Sequence, residues 1–270
     1  MTRVSFRILV AAVLVPIVGC AQQAGGAPES RAPGAHPDLS GVWTYAIDMA
    51  PATLKTTGPD GTVAVKALDQ SARHGDATSA SGVRPSTPTP SFKPELQAKV
   101  KAFDDEQSKL DPVFYCGKPG VPRIGSPRKI VQLADEVIFF YEDISGDPYR
   151  IIPTDGRPHR ANANPSHYGD SVGHWEGDTL VVDVRNFVGD TWFGEYGYFH
   201  SDALRVVERL WKDGENLVWQ ATVEDPNVLA TPWVMPARLI KPSTELLEES
   251  PKCVETDGPL LLNNDHHLQR

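Results

Sequence analysis

The chain has 270 residues, 40% of them hydrophobic, with 24 prolines, 22 glycines, 3 cysteines and a formal charge of −9. The acidic balance excludes nucleic acid as an expected partner, because phosphate binding needs clustered Lys and Arg. It also excludes docking on anionic lipid by charge alone.

Arg3 and Arg7 open the chain with no acid beside them, and an apolar run from Ile8 to Val18 follows. The run is shorter than the roughly 20 residues a membrane-spanning helix needs, and small residues follow it, so it reads as an export leader. It ends Ile17-Val18-Gly19-Cys20, which resembles the lipobox of bacterial lipoproteins. The resemblance implies a signal peptide over 1–19, a lipid on Cys20 and a mature chain on the periplasmic side of the cell envelope. With Ala21 and no Asp after the cysteine, it further implies the outer membrane. Losing the leader removes two arginines and no acid, so the mature chain is more acidic still. Cys116 and Cys253 remain, and an oxidising compartment with an even count makes one disulfide the expectation.

Residues 20–37 form a flexible Ala-, Gly- and Pro-rich tether, and 38–258 the folded domain, followed by a polar tail over 259–270. Within the domain, 69–92 is a polar insertion too poor in apolar residues to be core. One helix is predicted over 94–110: Pro94 suits its first turn, Leu96, Val100, Phe103 and Leu110 recur near the helical period, and Pro112 stops it. Beyond Lys129 short apolar runs alternate with turn signals. Asp135-Glu136, Asp155-Gly156, Glu176-Gly177-Asp178 and Asp213-Gly214 separate Ile130–Leu133, Val137–Tyr141, Arg150–Pro153, Val172–Trp175, Thr179–Val184, Leu204–Trp211 and Leu217–Val223. No long helices alternate with these strands, which excludes a doubly wound sheet. The expected fold is mainly β: an antiparallel meander of about eight to ten strands, closed or nearly closed into a barrel, since closure removes exposed edges.

Alternation places Leu204, Val206, Glu208 and Leu210 on one face of their strand, so Glu208 points inward. A carboxylate there is either functional or a structural ion pair, with Arg150 an available partner. The segment Asp190-Thr191-Trp192-Phe193-Gly194-Glu195-Tyr196-Gly197-Tyr198-Phe199-His200 is too aromatic to hang in water, and is expected to fold over a barrel end. His200 is the general acid/base candidate, with Glu208 or Asp190 as its carboxylate. Its plainer reading is a histidine bonded to hold the loop. Tyr149, Arg150, Trp192, Tyr196 and Trp219 are the expected ligand-lining residues, and Arg157 and His159 follow a nearby turn.

Gly169-Asp170-Ser171-Val172-Gly173 matches the nucleophile-elbow pattern, but a hairpin strand follows where that chemistry needs a helix. His159, His167, His174 and His200 show no metal-ligand spacing, so only a barrel that gathers them makes a metal site. No phosphate-binding glycine loop occurs, and no cofactor is expected.

Leu39-Ser40-Gly41-Val42-Trp43 is similar to the first strand of lipocalin-like barrels. The stretch Gly169-Asp170-Ser171-Val172-Gly173-His174-Trp175-Glu176-Gly177-Asp178-Thr179-Leu180-Val181-Val182-Asp183, with His200-Ser201-Asp202 and Val207-Glu208-Arg209, resembles a family of exported bacterial proteins of unknown function. That likeness runs from about residue 38 onward and implies no catalytic residue. The expectation is a lipid-anchored, lipocalin-like barrel for a small apolar or aromatic molecule, acting on it by cofactor-independent acid–base chemistry as a lyase, isomerase or hydrolase. The alternatives are a binding or carrier lipoprotein and a structural envelope protein. Lipidation has a direct readout: a fatty-acid analogue labels the wild type and not Cys20→Ala, and equal labelling of both rejects the lipobox reading.

Overall fold

Period-two alternation writes the strands of this protein. In Arg205–Asp213, Val206, Glu208 and Leu210 turn inward and are buried, while Arg205, Val207 and Arg209 stay partly exposed on the other face. The computed structural model describes residues 36–44, 53–57, 63–67, 88–143 and 145–253. The leader, Cys20 and nearly all of the tether lie outside the described residues, as do most of the 69–92 insertion and the chain beyond residue 253.

The strands are β1 (Gly41–Trp43), β2 (Thr53–Thr57), β3 (Val63–Ala67), β4 (Lys129–Gln132), β5 (Glu136–Phe140), β6 (Tyr149–Pro153) and β7 (Asp170–Glu176). They continue with β8 (Thr179–Arg185), β9 (Arg205–Asp213), β10 (Asn216–Glu224), β11 (Trp233–Val234), β12 (Arg238–Ile240) and β13 (Pro242–Ser243). Two antiparallel sheets carry the fold, one of five strands in the order β13-β1-β4-β5-β6, the other of six in the order β11-β10-β9-β8-β7 with β12 also on β10. β2 and β3 pair as a separate hairpin. Lys241 alone separates β12 from β13, so one stretch of chain pairs with β10 of the second sheet and with β1 of the first. At the opposite seam β6 and β7 end their sheets with no ladder between them. The protein is therefore mainly β, as its turn signals imply, but among the described residues its backbone ladders do not close into a ring.

The inward faces meet in one core. Ile130, Val137, Phe139 and Ile152 come from the first sheet, and Leu180, Val182, Leu210 and Trp219 from the second, all essentially inaccessible to water. Each contributes about 1.5–3 kcal/mol through burial. Trp43 closes one flank, its indole N–H donating to Leu39 O at 3.2 Å.

The helical segment is shorter and more broken than its sequence implies. A 3-10 turn over Pro94–Leu96 leads into α1 (Gln97–Asp105), and a short α2 (Gln107–Leu110) follows. Leu96, Val100 and Phe103 pack on the core, but Leu110 faces solvent. The helix is interrupted at Glu106, so the apolar stripe loses its phase beyond Phe103. Pro112 opens a second 3-10 turn rather than ending the structure, because Asp111 caps it: the carboxylate accepts from Val113 N–H at 3.1 Å and is gripped by Arg123 at 2.7 and 2.6 Å. Phe92, which falls within the polar insertion of the sequence reading, belongs to the core and stacks with Phe193 and Phe199.

Cys116 and Cys253 are bonded, with Cα atoms 5.7 Å apart and 137 residues between them in sequence. Closing so long a loop stabilises the fold by constraining the unfolded chain. Replacing both cysteines by alanine is expected to cost about 2–4 kcal/mol, read from urea midpoints. Unchanged midpoints rule out the clamp as a source of stability.

Candidate functional site

Two inward positions on different sheets bring Arg150 of β6 and Glu208 of β9 together. Nη1 of Arg150 lies 2.6 Å from Oε2 of Glu208, an ion pair at contact distance without hydrogen-bond alignment. Nη1 also donates to the Tyr141 hydroxyl at 3.0 Å, and Nε and Nη2 donate to Ser171 Oγ at 3.3 and 2.9 Å. Glu208 is 0% exposed, and its Oε1 accepts the Trp219 indole N–H at 3.0 Å. Burial opposes the Arg150 charge, yet Glu208 and Tyr141 more than offset it, so the guanidinium pKa ends above its ordinary value. Burial likewise pushes the Tyr141 hydroxyl up. The inward carboxylate is thus a member of an ion pair with Arg150, inside an apolar shell.

His200 sits elsewhere, in the loop before β9, while Glu208 lies three positions beyond Arg205, about 10 Å along the strand. Its two ring nitrogens are both engaged. Nδ1 faces the Ser201 carbonyl at 2.7 Å, so it carries the proton. Nε2 then accepts from the Thr191 hydroxyl at 2.7 Å. Burial lowers the His200 pKa, against the Ser201 carbonyl and the charges of Asp225 and Asp190. A neutral histidine with both nitrogens bonded to its own chain has none to offer a substrate. The structure brings His200 and Glu208 to no common partner among the described residues.

The remaining expected site residues divide. Asp190 is exposed, 3.6 Å from His167. Trp192 and Trp219 are core, Trp192 stacked on Phe103 at 5.6 Å. Tyr149 and Tyr196 stand in solvent, each at the mouth of a different cleft. Ser171 accepts from Arg150 within a β-strand, not at a strand-to-helix turn, and no base among the described residues bonds to it. No three His, Cys, Asp or Glu side chains among the described residues converge as a metal site requires.

The aromatic segment folds into a small hairpin: Trp192 bridges Phe199, and Phe193 N–H donates to Tyr198 O at 2.9 Å. Its tip is a turn from Glu195 to Tyr198, with φ of 62° at Tyr196 and 75° at Gly197. Gly197 has no substitute there: a Cβ would lie 2.6 Å from Val100 O and 2.8 Å from Phe103 Cβ, so the tip presses directly on α1. Between tip and helix runs a groove of about 690 Å³, walled by Pro90, Phe92, Val100, Tyr196 and Tyr198 and rimmed by Gln97, Lys101 and Asp104. The sequence marks the aromatics. It does not mark the groove, which depends on the Gly197–Val100 contact between segments far apart in the chain.

Compared with family models, curated proteins and solved structures, the chain finds no match.

The depressed His200 pKa has a signed consequence. The fold favours neutral imidazole, so its contribution is fully present above the ordinary value of 6.5 and lost as pH falls through the lower folded value. Melting temperature is expected to decline between pH 7 and 5, and His200→Gln to flatten that decline while costing about 1–2 kcal/mol at pH 7.5 through lost hydrogen bonds. Parallel profiles for the two proteins contradict the assignment.

Proposed function

We propose that the protein is a lipid-anchored binding protein of the periplasmic face of the cell envelope, which holds a small aromatic or apolar molecule without transforming it. In this reading the two sheets form a lipocalin-like barrel whose unladdered side is the β6–β7 seam. The chain stretch shared by β10 and β1 supports that reading, as does the Arg150–Glu208 pair that spans the sheets. The interior is filled by Trp219, Phe139, Leu210 and the ion pair, so the ligand is assigned to the rim, in the groove between α1 and the aromatic hairpin.

One observation carries the proposal. Tyr196 is 54% exposed and held at φ 62°, in the left-handed region where a bulky L-residue costs about 1–2 kcal/mol. Asn or Gly relieves that cost at such a turn position. Keeping a tyrosine there, beside a rigid aromatic wall, stores strain where a ligand-contacting ring is useful. The engaged nitrogens of His200 favour binding over catalysis.

Tyr196→Gly tests this with two readouts that move in opposite directions. Thermal stability is expected to rise by about 1 kcal/mol as strain is released. The small molecule that mass spectrometry detects in wild-type protein purified from its native envelope is expected to be lost. Retention of that molecule at wild-type occupancy, or its absence from the wild type, ends the proposal.

A further inference from the structure

We propose that the cleft along the β6–β7 seam is a second binding site, built for the carboxylate of a small amphipathic acid. The cleft holds about 530 Å³ and lies outside the aromatic groove, with no lining residue in common.

Its floor is an open sheet edge. Thr154 N–H donates to Asp135 O at 2.8 Å, and Tyr141 N–H to Pro148 O at 3.0 Å. With the β5–β6 register, these bonds fix the alternation: Arg150 and Ile152 turn their backbone groups to β5. Tyr149 and Ile151 turn theirs to the seam, where no ladder meets them among the described residues. Their side chains also stand out, 62% and 49% exposed.

Ser171, Arg157 and Arg160 bring donors to the cleft, and the carboxylates beside the two arginines are already engaged. Ser171 Oγ accepts twice from Arg150, which leaves its own proton to give. Arg157 binds Asp155 through Nε and Nη2, leaving Nη1 without a partner among the described residues. Arg160 binds Asp170 through Nε at 2.5 Å, leaving both Nη groups in the same condition. Both oxygens of Asp170 are occupied, Oδ1 by Arg160 Nε and Oδ2 by the Arg160 backbone N–H and His159 Nδ1 at 3.1 and 3.0 Å. Arg157 Nη1, the two Nη groups of Arg160 and the Ser171 proton are donors that a carboxylate, which only accepts, pairs with by charge-assisted bonds. Asp155 and Asp170 already balance Arg157 and Arg160, which favours a single negative charge over a phosphate dianion. Tyr149, Ile151 and Pro153 supply an apolar wall for the rest of the molecule.

Titration of the full chain with benzoate, followed by calorimetry, tests the site. Saturable binding is expected, with benzyl alcohol and inorganic phosphate each at least about tenfold weaker. The double variant Arg157→Gln/Arg160→Gln, at two exposed positions, is expected to lower benzoate affinity at least about tenfold. Tyr196→Gly is expected to leave it unchanged. No saturable binding, equal binding of benzyl alcohol or phosphate, or wild-type affinity in the double variant overturns the proposal. So does loss of benzoate in Tyr196→Gly, which places it in the aromatic groove. Should the double variant melt below the wild type, Tyr149→Ala decides instead, and an unchanged affinity there overturns the proposal.

Discussion

A single buried ion pair ties the two sheets where the backbone does not. β6 and β7 end their sheets side by side without a ladder, and Arg150 crosses that seam. Its guanidinium reaches Ser171 on β7, Tyr141 just beyond β5 and Glu208 on β9. Taking two charges out of water is costly, and well-packed apolar replacements of such pairs are often no less stable. Removing one partner alone leaves a buried charge uncompensated, at about 3–5 kcal/mol. What the pair supplies is placement: it fixes how β6 sits against the second sheet at a seam without backbone bonds.

The same pair makes the register of β9 unambiguous. A slip of one residue moves Glu208 out and Arg205 and Arg209 in. In the observed register those arginines meet acids on the outer face, Arg205 bonded to Asp183 and Glu224 and Arg209 to Glu176. Burial opposes the Asp183 charge, but the Arg205 and Arg185 bonds outweigh it and hold its pKa at about 2. That carboxylate stays charged far below neutrality, so its contribution persists above its unfolded value of 3.8 and is lost only as pH falls toward 2. Its acid sensitivity therefore falls outside the range in which a histidine titrates.

Strand positions and their faces are legible because a period of two is a local property. Asp213-Gly214 and Glu176-Gly177-Asp178 end strands where turn chemistry says they should, and Glu208 announces itself by falling among Val206 and Leu210. Roles set by distant partners are not legible. Nothing in the sequence reveals that Thr191 and the Ser201 carbonyl engage both nitrogens of His200, or that Trp192 and Trp219 are core while Tyr196 is exposed. Leu110 fits the helical stripe, but the break at Glu106 turns it to water. Phe92 is attached to a polar stretch and becomes core through Phe193 and Phe199, about a hundred residues away.

A filled interior has a consequence for where this fold can expose adaptable surface. Trp219, Phe139 and the ion pair occupy the space between the sheets, so a recess has to be built from loops at the rim or at a seam. Loops make poor recesses unless something stiffens them. Here α1 does so, with Phe103 stacked on Trp192 and Val100 O against Gly197. The helix is held in turn by what flanks it. On one side Phe92 is anchored in the core and Trp233 Nε1 donates to Pro88 O at 2.5 Å. On the other the chain reaches Asp111, bonded to Arg123, and then the Cys116–Cys253 bridge. The turn at Tyr196 therefore rests on fixed contacts on both sides of the groove. A left-handed tyrosine persists only where its surroundings over-determine it, and these contacts, none of them local in sequence, are what over-determine it.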